Sequence, residues 1–197
     1  MKLSIKYQND DKYYNFNSFE EINNYDEVND IHCIYYELTS LPKLPKSVKL
    51  INCCDNLLTV LHELPDSLEY FLCENNKLTL LPELPKSLKY LTCEENQLIE
   101  LPKIPNSLEK LYCSNNQLRL LPELPDSLIE LACYNNKLTL LPELPDSLKE
   151  LYCMNNKLTL LPELPDSLQE PNCHNNQLIS RKDYQYNYLN NIIYDIF

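Results

Sequence analysis

Apolar residues recur along most of the chain in one arrangement, seen clearly between residues 88 and 107. Leu88, Leu91 and Cys93 alternate with polar or aromatic neighbours, and Leu98, Leu101 and Ile104 follow at wider intervals. Alternation with a period of two places Leu91 and Cys93 on one side of a short strand, with Tyr90, Thr92 and Glu94 on the other. Leu98, Leu101 and Ile104 then bring the chain back to the same core. Pro102 and Pro105 hold that return limb in an extended or polyproline-like path. Nearly every residue of the unit is committed, which leaves no length for a helix.

The unit repeats with a spacing of 20: Cys33, Cys53, Cys73, Cys93, Cys113, Cys133, Cys153 and Cys173 form one column. Asn56, Asn76, Asn96, Asn116, Asn136, Asn156 and Asn176 form a second, three residues further on. A fixed period of this kind predicts a solenoid in which each unit buries its core against its neighbours. The consensus L-x-x-L-x-C-x-x-N-x-L-x-x-L-P-x-L-P-x-S resembles the leucine-rich repeat, with Cys at the third Leu position, over residues 28–180. The short period and the Leu-Pro-x-Leu-Pro-x-Ser-Leu segment resemble the bacterial effector repeats of the YopM and IpaH type. The Asn- and Tyr-rich composition looks like repeat proteins of giant DNA viruses such as Mimivirus. The resemblance implies a mainly β solenoid, or horseshoe, with a parallel sheet on the concave face and an extended, polyproline-like convex limb. It also implies a protein-binding role. It brings no ligase activity, because in those ligases a separate domain carries the nucleophilic cysteine and here only residues 181–197 follow the repeats.

A solenoid needs its ends covered. Residues 1–27 are expected to form an N-terminal cap. Leu3, Ile5 and Tyr7 alternate, as do Tyr14 and Phe16, with Asn9-Asp10-Asp11 between them, which predicts a β-hairpin. Ser18-Phe19-Glu20-Glu21 fits a capping box that opens a short helix. Residues 181–197 are expected to form a C-terminal cap, in which Leu189, Ile192, Ile193, Ile196 and Phe197 fall at helical spacing. A terminal strand over 192–197 is the alternative. Two repeats depart from the pattern: Tyr36 replaces the first Asn, so the amide column should begin at Asn56, and Pro171 stands where the second Leu of the last repeat belongs.

Composition narrows the chemistry. The net charge of −12 argues against nucleic acid and anionic membrane surfaces, both of which require Lys and Arg. No window is apolar enough for a membrane span, and Met1 to Asp10 lacks the apolar run of a signal peptide, so an intracellular location is expected, the host cytoplasm if the source is viral. The chain has no Gly, so a backbone position needing positive φ must be filled by another residue, and Asn tolerates it best. The same absence removes any Gly-rich phosphate loop.

The cysteine column could be imagined as a metal or redox stack. In-register side chains point the same way, however, which suits neither disulfide torsion nor tetrahedral zinc, and packing is the preferred reading. Cys54 differs, since alternation turns it outward as a reactive surface thiol. The inward Asn column is expected to satisfy buried backbone groups. His32 and His62 occupy unrelated places in the repeat, and His174 is turned away from Cys173, so no catalytic site, metal or cofactor is expected.

The outward strand positions remain. Tyr70, Glu74, Tyr90, Glu94, Tyr112, Glu130, Tyr134, Glu150, Tyr152 and Met154 form the candidate partner-binding set, with Glu170 and Lys110 on the same face. Tyr70 and Tyr90 should stack in one column, with Tyr112 one column over and Tyr134 next to Tyr152. Tyrosine gives large contact area at low entropy cost, although solvated strand residues with ordinary β propensity are the plain alternative. Seven strands offer roughly 600 Å², close to the about 800 Å² one partner buries in a standard interface. The expected function is therefore non-enzymatic binding of one protein of basic or mixed surface charge by a monomer. The rival expectation is a structural or virion-associated packing protein without a dedicated ligand.

Overall fold

The computed structural model describes residues 3–8 and 10–179. The stripe of Leu189, Ile192, Ile193, Ile196 and Phe197 lies outside them. Among the described residues nine strands form one sheet: β1 (Leu3–Tyr7), β2 (Tyr13–Phe16), β3 (Val28–His32), β4 (Leu50–Asn52), β5 (Tyr70–Leu72), β6 (Tyr90–Thr92), β7 (Lys110–Tyr112), β8 (Glu130–Ala132) and β9 (Glu150–Tyr152). Their spatial order is β2-β1-β3-β4-β5-β6-β7-β8-β9. From β3 to β9 the pairing is parallel, with Leu50, Tyr70, Tyr90, Lys110, Glu130 and Glu150 in register. The fold is thus a mainly β, parallel-sheet solenoid.

The inward columns are shut off from water. Ile51, Phe71, Leu91, Leu111 and Leu131 are fully buried, as are Cys53 to Cys173 in their column and Leu58, Leu78, Leu98, Leu118, Leu138 and Leu158 beyond the turn. Burying a leucine side chain stabilises by about 1.5–3 kcal/mol, so each repeat has several such terms. Each depends on the neighbouring repeats that cover it.

Two hydrogen-bonded columns lock successive units. The Asn76 Nδ2 lies 3.0 Å from the Cys53 carbonyl of the preceding repeat and 3.2 Å from that of Cys73, and its Oδ1 accepts from the Leu58 N–H at 3.0 Å. The same set recurs at Asn96, Asn116, Asn136, Asn156 and Asn176, and it begins at Asn56. Tyr36, standing in place of the first amide, uses its hydroxyl otherwise: it accepts from the Leu3 N–H and donates to the Phe16 carbonyl, joining the first repeat to the hairpin.

The second column is serine. Each return limb ends in a turn in which, for example, the Leu108 N–H donates to the Pro105 carbonyl at 3.1 Å. That turn presents the Ser107 hydroxyl at 2.6 Å from the Leu88 carbonyl of the preceding repeat. Ser47, Ser67, Ser87, Ser127, Ser147 and Ser167 do the same. Sequence reading gave this serine no task, because the hydroxyl's acceptor lies 19 residues away.

Positive φ falls on the residue before each ladder amide: Asp55, Asn75, Glu95, Asn115, Asn135, Asn155 and Asn175 lie between 50° and 56°. In a chain without Gly, Asn fills five of these seven positions, because its short polar side chain tolerates the left-handed region.

At the N-terminal end, β1 pairs antiparallel with both β2 and β3. The helix expected after Ser18 is a three-residue 3-10 turn, Phe19–Glu21, and the Ser18 side chain caps nothing. The Glu21 carboxylate instead accepts from the Asn17 N–H at 2.8 Å, so the reciprocal bond closes one residue earlier than the box requires. At the other end Pro171 brings no N–H to the ladder, and strand pairing falls to the single bridge Tyr152–Asn172.

Candidate functional site

The outward side of the sheet carries three side-chain columns. One runs Tyr70, Tyr90, Lys110, Glu130 and Glu150; the next Leu72, Thr92, Tyr112, Ala132 and Tyr152. The third, just past the strands, holds Cys54, Glu74, Glu94, Ser114, Tyr134 and Met154. Parallel register makes each column a row of near neighbours about 4.8 Å apart.

At the centre the tyrosines meet. Tyr70 and Tyr90 stand with ring centroids 6.5 Å apart, and Tyr90 meets Tyr112 edge to face at 5.5 Å, a favoured aromatic geometry. Thr92, between Tyr90 on its own strand and Tyr112 in register on the next, is only 2% exposed although it points outward. Its hydroxyl lies 3.3 Å from Glu74 Oε2. Tyr134 does not join Tyr152 in a pair. Tyr134 leans toward Ser114 and Asn115, whereas the Tyr152 hydroxyl donates to Glu150 at 3.0 Å.

The carboxylates divide into two groups. Glu130 is compensated, because it accepts from both Lys110 and the Tyr112 hydroxyl. Although burial alone would raise its pKa, those two donors hold it below the usual glutamate value, and burial together with the Glu130 carboxylate pushes Tyr112 up. Glu94 is the opposite case: burial, reinforced by Glu74 and Glu95, holds its pKa above the usual value although the Ser114 and Tyr134 hydroxyls beside it pull the other way. Among the described residues no ion pair includes Glu74 or Glu94. Beside the face, Glu69 bridges Lys49 at 3.4 Å and Lys89 at 2.7 Å. Sequence reading passed over that bridge, which forms between residues 20 apart.

Cys54 is not a surface thiol. It is 3% exposed, and burial together with the nearby Glu74 charge raises its pKa to about 12. Alternation does turn it outward, but its neighbours close over so small a side chain. All nine cysteines are free and buried, and burial also lifts Cys33 to about 12. Cys53, Cys73 and Cys113 point their thiols at the carbonyl of the next strand at 3.4 Å. The column is a row of buried side chains that packs the core. Among the described residues no group of three His, Cys, Asp or Glu side chains is placed to hold a metal. His174 contacts Asn172, and among the described residues no helix is long and apolar enough to cross a membrane. A depression of about 820 Å³ lies away from the strands, on the return limbs between residues 41–46 and 61–66.

No family model matches the chain, and no curated protein does. Solved structures do. The leucine-rich-repeat domain of a Shigella effector superposes with a TM-score of 0.70 at 31% identity, over 83% of this chain and 76% of that domain. The chain belongs to the leucine-rich-repeat family. Two YopM structures agree with this solenoid. YopM from Yersinia pestis gives a TM-score of 0.73 at 42% identity over 76% of this chain, and YopM from Yersinia enterocolitica 0.72 at 37% over 73%. The leucine-rich-repeat chain spans 43% and 32% of those two proteins. Its similarity to them is one of repeat length and solenoid geometry.

Proposed function

We propose that this leucine-rich-repeat chain is a non-enzymatic interaction module that takes one partner protein on the outer, predicted concave, face of its sheet. The observation that carries the reading is the cluster Tyr70, Tyr90 and Tyr112: three tyrosines in ring contact, set on parallel strands whose spacing the Asn and Ser columns hold. Rigid aromatic surface loses little entropy when covered and is enriched where proteins meet. Glu74, Glu94, Glu130 and Glu150 surround it, so the complementary surface is basic or mixed in charge. The chain acts as a monomer inside the cell, where buried free thiols stay reduced. Similarity to proteins described as effectors supports the same class of role.

The test is capture from a eukaryotic cell extract by the wild type and by a variant carrying Tyr70→Ser, Tyr90→Ser, Tyr112→Ser and Tyr152→Ser, both shown folded by circular dichroism. A protein held by the wild type and lost by the variant is the expected result. Equal capture removes the tyrosine face from the reading.

A packing component without a dedicated ligand is the second reading, favoured by one observation. Val60, Leu80, Leu120, Leu140 and Leu160 occupy one position of the repeat and are each about half exposed. Glu100 interrupts the column, which leaves Leu120, Leu140 and Leu160 as an exposed apolar row on three successive repeats. Sedimentation velocity decides: a concentration-dependent assembly that Leu120→Glu with Leu140→Glu dissolves favours packing, and a monomer at all concentrations removes it.

A further inference from the structure

We propose that Cys153 and Cys173 are an oxidisable pair, closed into a disulfide by a small-molecule disulfide such as oxidised glutathione, and that the bond clamps the last repeat to the one before it. The pair lies in the inward column, away from the outer face, so it stands whether or not that face takes a partner. The two sulfur atoms are 2.9 Å apart. Carbon atoms in ordinary contact stand about 3.5–4.0 Å apart and sulfur is larger, whereas bonded sulfurs lie about 2.0 Å apart. Farther back in the column Cys53, Cys73 and Cys113 direct their thiols instead to a carbonyl of the next strand at 3.4 Å. The backbone is within reach of a bond as well. The Cys153 N–H donates to the Asn172 carbonyl at 2.8 Å and the Asn155 N–H to the His174 carbonyl at 3.1 Å, which keeps the two rungs at strand spacing. That spacing of about 4.8 Å falls inside the about 4.4–6.8 Å that a disulfide spans between Cα atoms.

In the middle of the column spacing alone is not enough, because each cysteine is held between rungs with its Cβ directed along those of its neighbours. A second, independent observation sets the last rung apart. Strand pairing there falls to the single bridge Tyr152–Asn172. Leu161 and Leu168 are half-buried, where Leu141 and Leu148 one repeat earlier are buried, and Asn176 is half-buried where Asn156 is buried. A rung with fewer buried contacts opens at lower free energy than the rest. Opening lets the two Cβ atoms turn toward each other and admits the reagent. Contact with Cys173 and burial hold the Cys153 thiol well above the usual cysteine value, so the attacking thiolate forms once the rung meets water.

In the open rung one cysteine gives up its proton, and its thiolate attacks the small disulfide and releases one small thiol. The second cysteine, deprotonated in turn, attacks the sulfur that the first has captured, forms the Cys153–Cys173 bond and releases the other small thiol. The protein pair loses two electrons and two protons, and the reagent takes them up as two thiols. The new bond ties residues 20 apart in sequence and restricts the unfolded chain between them.

The test incubates the full chain with oxidised glutathione, alkylates the remaining thiols in denaturant and maps the peptides by mass spectrometry after cleavage at Lys157 and Glu163, which lie between the two cysteines. The expected result is a linked Cys153–Cys173 peptide, reversed by dithiothreitol, with the other seven of the nine thiols alkylated. The melting temperature of the linked chain should rise by about 5 °C or more. Cys173→Ser should lose both the link and the gain, and the wild-type map decides by itself if that variant does not fold. Nine alkylated thiols after an exposure that cross-links the urea-unfolded chain overturns the pair, as do links spread evenly over other cysteines of the column. A mapped link with an unchanged melting temperature overturns the clamp.

Discussion

Replacing Asn116 with Ala tests whether the amide column holds the solenoid together. Its Nδ2 lies 3.0 Å from the Cys93 carbonyl and 3.1 Å from those of Cys113 and Ser114, and its Oδ1 accepts from the Leu98 N–H at 2.9 Å. The three carbonyls each retain another donor after the substitution: Asn96 at Cys93, Asn136 at Cys113 and the Glu95 N–H at Ser114. The Leu98 N–H retains none, and Leu98 is fully buried. One orphaned buried donor costs about 1–3 kcal/mol, and two lost bonds to shared carbonyls add about 0.5–1.5 kcal/mol each. The sum is a destabilisation of about 2–6 kcal/mol. Urea unfolding followed by tyrosine fluorescence, with the slope against urea checked for constancy, measures it. Asn116→Asp keeps the acceptor for Leu98 but turns a carboxylate toward three carbonyls, so it should cost at least as much. Asn176→Ala, at a half-buried amide, should cost less than half as much, because water reaches the groups it leaves. A loss below about 1 kcal/mol for Asn116→Ala, or equal losses at the two positions, would refute the reasoning.

The remaining expectations concern the thiols, a carboxylate and a turn. In the native chain Cys54 should react with a disulfide reagent no faster than the other cysteines, and rapid stoichiometric labelling at Cys54, mapped by mass spectrometry, would contradict its burial. Glu94 has a folded-state pKa above its unfolded value, so its charged form opposes folding at any pH above the folded value, and that penalty fades as pH falls through it. Glu94→Gln should therefore raise the melting temperature at neutral pH, with the gain shrinking as pH drops through and below the glutamate range; a gain independent of pH would contradict the assignment. Glu95 holds φ of 51° with a side chain poorly suited to it. Glu95→Asn should be more stable than Glu95→Gln by about 0.5–1 kcal/mol, a comparison in which both substitutions remove the charge and only Asn suits the backbone; equal thermal denaturation midpoints would show that the left-handed position costs glutamate nothing.

The repeat was legible in the chain itself because its constraints are local or strictly periodic. Alternation at Leu91 and Cys93 gives the strand and its inward side, the prolines exclude a helix from the return limb, and a fixed interval of 20 forces every unit into the register of the last. An inward Asn has few uses other than satisfying backbone, so the amide column followed from chemistry and position together. The capping box at Ser18 does not close, and the short helix after it is a single 3-10 turn, because the Ser-x-x-Glu spacing says which groups could bond while the backbone lets Glu21 reach Asn17 first.

Alternation tells which side of the sheet a residue takes, and the interval tells which residues share a column. Whether an outward residue is open to water depends on the side chains beside it, and these differ from rung to rung. Cys54 is small and covered, and Thr92 lies between tyrosines. Glu130 is drawn to Lys110 and Tyr112, while no ion pair among the described residues includes Glu74 or Glu94. The serine column likewise exists only once one turn is stacked on the next. The sequence alone determined the solenoid, its period and its inward core, because backbone alternation and the repeat interval are properties of the chain. The tertiary structure decided which groups on the outer face are covered, paired or left charged, because those depend on side chains brought together across neighbouring repeats.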